Sequence, residues 1–126
     1  LKGKAGVAFR FPGQVAEPFI RPWAPYKQVV AFNIDEEEIW IGDGTGVLME
    51  NYTQERQAQA LTRCAKQLEL PEAQATAHFG IRPFIKGAKP CWLEKSGPCT
   101  WVATGGAKNG MLGAGYAAQM LGEALK

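Results

Sequence analysis

The stretch TWVATGGAKNGMLGAG, from Thr100 to Gly115, reads as a short apolar strand, a glycine turn and the start of a helix. A helix N-terminus presents unpaired N–H groups and a partial positive charge. It therefore suits a phosphate, a carboxylate or the electron-rich edge of a ring. Gly105, Gly106 and Gly110 would let the backbone approach such a ligand with no side chain in the way. A plain tight strand-to-helix turn satisfies the same residues, because short glycine patterns are weak signals. In HFGIRPF, Arg82 stands among apolar residues of a strand. Burying a guanidinium unpaired is costly, so an anionic partner is expected. A carboxylate would be held by two parallel hydrogen bonds that also fix its orientation. An internal salt bridge, or an arginine reaching solvent from a sheet edge, meets the same requirement.

Other chemistry-bearing residues point less far. His78 is the only histidine. With no serine, cysteine or carboxylate motif beside it, nucleophilic catalysis has no support, and a half-buried strand residue is expected. The acidic run from Asp35 to Glu38 matches no calcium loop and reads as a solvated turn. GDGTG, Gly42 to Gly46, reads as a strand end and a turn. Trp23, Trp40, Trp92 and Trp101 read as core or interface residues.

These residues need elements to hold them. GKAGVAFRF (Gly3 to Phe11) predicts a strand, and the proline-rich PGQVAEPFIRPWAP predicts irregular chain. YKQVVAFN (Tyr26 to Asn33) and EIWIGDG predict an antiparallel hairpin around the polar IDEEE loop. TGVLMEN predicts a further strand. A helix starts at Thr53 as N-cap and carries Ala60, Leu61, Cys64, Ala65 and Leu68 on one apolar face, with Pro71 as its stop. Ala75 to Ile85 predicts a long strand. PCWLEK and CTWVAT predict two short strands about the turn SGP. A last helix runs from about Asn109 to Leu125, and its Ala and Gly content predicts close packing on something flat. The order predicts an α+β fold with a mostly antiparallel sheet and one covering helix.

At 126 residues the chain is one domain or part of one, and its apolar share of 46% supports a core. A net charge of +2 gives no footprint for nucleic acid. No apolar run is long enough to span a bilayer. Cys64, Cys91 and Cys99 are odd in number and form no CxxC, so a reducing, cytoplasmic setting is the default expectation.

FGIRPFIKGAKP followed by TWVATGGAKNGMLGAGYAAQMLGEAL resembles the C-terminal part of the D-amino acid oxidase family of FAD-dependent oxidoreductases, which includes glycine oxidase-like enzymes. Members carry a G-[LIF]-R-P segment, then a strand, a glycine-rich turn and a final helix. APYKQVVAF and IWIGDG also look like the hairpin that members place before the helix corresponding to Thr53–Leu70. The resemblance covers nearly the whole chain. It is most specific from Phe79 to Leu125.

The resemblance implies a division. Residues 1–98 would be a substrate domain, and residues 99–126 the last strand and helix of an FAD-binding, Rossmann-like sheet. Arg82 would pair with a substrate carboxylate, with Tyr26 near a substrate-side aromatic hydroxyl. Gly105, Gly106, Lys108, Asn109, Gly110 and Met111 would approach the pyrimidine edge of the flavin. The parent would oxidise an amine or amino acid by hydride transfer to FAD. Gly106 stands where many members carry a side chain, which leaves open how the flavin is attached. The family's GxGxxG unit, which holds the pyrophosphate and adenosine, is missing from these residues. The chain would then be the C-terminal portion of a longer flavoprotein, partnered by an N-terminal FAD-binding portion and binding FAD weakly by itself. The alternative is a stand-alone binding or assembly module without catalysis. In either case an exposed sheet edge would invite self-association.

Overall fold

The computed structural model describes residues 2–86, 92–104 and 110–126. Two compact units emerge: one is Ala5–Gly80, the other Leu1–Lys4 with Ile81–Lys126. The fold is α+β with a mostly antiparallel main sheet, as the order of elements predicts.

The main sheet is built from β1 (Lys2–Pro12), β2 (Phe19–Ala24), β3 (Lys27–Asn33), β4 (Glu38–Gly42), β5 (Val47–Leu48) and β6 (Thr76–Phe84). The order is β2-β3-β4-β1-β5, with β6 also paired to β1. Register puts Phe9 opposite Ile41, Phe11 opposite Ile39 and Ala31 opposite Ile41. These residues, with Val29, are buried on one face of the sheet. Strand alternation sends Arg10, Phe32 and Trp40, mutual partners across β1, β3 and β4, to the other face.

Helix α1 (Gln54–Leu68) covers the buried face, contributing Ala60, Cys64 and Ala65 to one cluster with Phe9, Phe11, Val29, Ile39 and Ile41. Each fully buried Phe, Ile or Val contributes about 1.5–3 kcal/mol. Thr53 caps the helix, its hydroxyl accepting from the Arg56 N–H at 3.2 Å. The C-terminus closes before Pro71 is reached. Glu69 takes the left-handed conformation at φ 55°. Leu70 N–H then donates to Ala65 O at 3.2 Å and Glu69 N–H to Lys66 O at 3.3 Å, a Schellman closure. The helix therefore ends at Leu68 by its own backbone bonds.

Two strand expectations need correction. The proline-rich stretch contains β2, a strand paired with β3 from Phe19↔Ala31 to Ala24↔Lys27 with a register irregularity between Pro22 and Ala24. Pro22 fits because β2 lies at the sheet's edge, where a missing N–H costs no ladder bond. The strand expected in TGVLMEN shrinks to Val47–Leu48, and Met49–Asn51 turn into a 3-10 helix.

In the second unit, β7 (Trp92–Gly97) and β8 (Thr100–Thr104) form their own antiparallel hairpin, from Trp92↔Thr104 to Gly97↔Thr100. The expected boundary at 98/99 falls at the tip of this hairpin. Helix α2 (Gly110–Ala124) packs on β7, with Gly113 and Ala117 buried. That meets the expectation of a small-residue helix against a flat surface.

Candidate functional site

β6 carries Arg82, and its side chain is exposed. Its strand neighbour Ile81 is exposed too. The desolvation argument for an obligatory anionic partner therefore does not apply, and Arg82 makes no ion pair among the described residues. Exposed and without an ion pair there, its guanidinium is open to an added carboxylate. Tyr26 sits with Pro25 in the two-residue loop between β2 and β3, fully exposed at φ 60°. Positive φ is unusual for a residue with a bulky side chain. Of the glycine turn, Gly105, Gly106, Lys108 and Asn109 lie outside the described residues. Gly110 and Met111 form the first turn of α2.

Within Ala5–Gly80 the fold assembles a cluster that the sequence did not single out. Asp43, at the end of β4, is completely buried. Its Oδ2 accepts from Arg63 Nε at 2.8 Å and lies 2.8 Å from Arg63 NH2. Its Oδ1 accepts from the Thr45 N–H at 2.9 Å. Trp23 Nε1 donates to the Asp43 carbonyl at 2.8 Å, and the Arg63 guanidinium lies 4.2 Å from the Trp23 ring centroid. The turn that aims Asp43 inward depends on Gly44 at φ 72°, where an added Cβ would meet Gln28 O at 3.1 Å.

This cluster joins the sheet to the helix rather than performing chemistry. Both carboxylate oxygens are engaged, so Asp43 is not a free base. Neighbouring Cys64 is buried, which pushes its thiol up to about 12; Asp43 adds to the rise and Arg63 opposes it. A thiol held protonated is not a nucleophile. One signal could have revealed the pair. Arg63 immediately precedes Cys64 and follows Ala60 by three positions, at the flank of the apolar helix face, and needs an acid opposite it.

On the far face of the sheet, Trp40 and His78 rings lie 5.3 Å apart. His78 is half-buried, as expected, and its Nε2 is buried with no hydrogen-bond partner among the described residues. Arg10 pairs with Glu38 on the same face. Phe32 and Ile20 are exposed there. The acidic loop is a solvated turn, with Asp35 Oδ1 accepting from the N–H groups of Glu37 and Glu38. No cluster of three or more metal-ligating side chains occurs among the described residues. No helix among them is long and apolar enough to cross a membrane.

No family model matches the chain, and no curated protein is similar enough to count as a relative.

Proposed function

We propose that this chain is the C-terminal, substrate-domain portion of an FAD-dependent oxidoreductase that oxidises an amine or an amino acid by hydride transfer to the flavin. The observation that carries this reading is one strand. β6 presents the G-I-R-P segment with an exposed arginine that has no ion-pair partner among the described residues. Further support comes from the antiparallel sheet covered by one helix and from β8 leading toward α2. No step of the chemistry is assigned to the described residues. Gly105, Gly106, Lys108, Asn109, Gly110 and Met111 would border the flavin ring in the assembled protein, with Tyr26 on the substrate side. Adenosine and pyrophosphate would be held by the N-terminal portion. A cytoplasmic setting belongs to the same reading.

The contribution of this chain is to bind and orient the substrate. Arg82 would take the carboxylate through two parallel hydrogen bonds and so fix the α-carbon relative to the acceptor. Hydrogen bonds to charged groups contribute about 1.5–3 kcal/mol each. Arg82→Ala in the intact oxidoreductase should therefore raise KM for carboxylate substrates by more than about tenfold. An unchanged KM removes Arg82 from the site.

A non-catalytic binding or assembly module is the second reading, favoured by the exposed Ile20 and Phe32 on the sheet face opposite α1. The reading frame upstream of Leu1 separates the two. A strand–GxGxxG–helix unit, with an acidic residue about twenty positions further on, supports the oxidoreductase. A start codon directly before Leu1 overturns it.

A further inference from the structure

A second place in the Ala5–Gly80 unit has the make-up of a ligand site. A cavity of about 380 Å³ opens between the C-terminal end of α1 and the loop that follows β1. That size falls in the range of small-molecule sites, roughly 300 to 1,000 Å³. Phe19, Ile39, Leu68 and Leu70 give it an apolar lining.

Both walls are fixed in advance. On the loop side, Val15 N–H donates to Asn33 Oδ1 and Asn33 Nδ2 donates back to Val15 O, each at 2.9 Å. Gln14 Nε2 donates to Glu36 O at 2.6 Å, and Gly13 N–H to Glu37 O at 2.8 Å. On the helix side, the Schellman closure occupies the Ala65 and Lys66 carbonyls.

Arg21 lines the same cavity, and its guanidinium is oriented twice over. It lies 4.0 Å from the Phe19 ring centroid, and NH1 donates to Gln67 Oε1 at 3.1 Å and toward Gln67 O at 3.5 Å. The other edge, Nε and NH2, has no partner among the described residues. A guanidinium stacked on one face and anchored at one edge is a prepared receptor for a carboxylate.

We propose that this cavity binds a monocarboxylate with a short apolar tail, the carboxylate on the open edge of Arg21 and the tail against Phe19, Ile39, Leu68 and Leu70. Glu17 also lines the cavity. It has no bonding partner among the described residues and acts against an anion. The proposal rests on the cavity alone and is independent of the oxidoreductase reading.

The sign of Glu17 makes the test sharp. Calorimetric titrations of the chain at low ionic strength would compare hexanoate, 1-hexanol and hexylammonium. Hexanoate should bind tightest. Arg21→Gln should weaken hexanoate by at least about tenfold, whereas Glu17→Gln, at an exposed residue, should tighten it with circular dichroism unchanged. Equal binding of hexanol would reduce the cavity to an apolar slot and overturn the proposal. So would preferential binding of hexylammonium, weaker hexanoate binding by Glu17→Gln, or no hexanoate binding at millimolar concentration.

Discussion

Asp43 and Arg63 offer a quantitative test of how the sheet is joined to the helix. The Asp43 side chain has 0% exposure and that of Arg63 28%, so the pair is unequal. Arg63→Ala would leave a fully buried carboxylate with only the Thr45 N–H at 2.9 Å. Breaking a buried pair from one side costs about 3–5 kcal/mol. The lost stacking on Trp23 adds about 0.5–1 kcal/mol. Asp43→Ala should cost less, because Arg63 already reaches water and can turn further into it. The double variant removes both charges and should cost less than the sum of the singles by at least about 1.5 kcal/mol, within the range seen for residues in one ion-pair network. Urea unfolding of the parent, both singles and the double gives this coupling directly. A coupling below about 0.5 kcal/mol, or a larger loss from Asp43→Ala than from Arg63→Ala, would refute the reasoning.

Other predictions concern single positions. Cys64 keeps its proton to about 12 in the folded chain, against 9.0 for a solvated thiol. Its stabilisation is thus complete below about pH 9 and is lost as pH rises toward 12, at up to about 1.4 kcal/mol per pH unit. Urea unfolding of the parent from pH 8 to 10.5 should show this slope, and Cys64→Ala should remove it. Gly44→Ala should destabilise by about 1–3 kcal/mol, since it meets both the positive φ and the Gln28 carbonyl. Gly115→Ala should do the opposite. A Cβ there meets nothing within 4 Å, and Ala exceeds Gly in a helix interior by about 0.5–1 kcal/mol. Thermal melts of the two glycine variants check both signs.

Much of the architecture could be read along the chain because its signals are local. Thr53 sits directly before a helix whose apolar stripe has period 3.6, and the cap and stripe both appear in α1. The alternation in β1 and the β-branched run in β3 reappear as burial on one face. β2 was not legible, because Pro22 and Pro25 argue against a strand unless its place at an edge is known, and place is a tertiary fact. Pro71 marked the end of α1 to within two residues, but its closure at Glu69 in a left-handed conformation has no strong sequence signature. The Asp43–Arg63 pair links positions 20 residues apart, so the place of Arg63 beside the apolar helix face signals the need for an acid but not which one. At Arg82 the sequence left burial beside an anion and exposure to solvent both open, and β6 takes the exposed alternative, which depends on what packs against the strand.

The β2 edge has a consequence for growth of the sheet. An incoming strand reads an edge as a regular row of donors and acceptors, and Pro22 removes one donor from that row. A register irregularity between Pro22 and Ala24 bends the template further, and Pro25 closes it at the hairpin tip. Strand-by-strand accretion into fibres is thereby discouraged on this flank, although the chain is rich in β structure. Replacing Pro22 with a β-branched residue would restore the missing donor and leave the register irregularity and Pro25 as the remaining barriers on this edge.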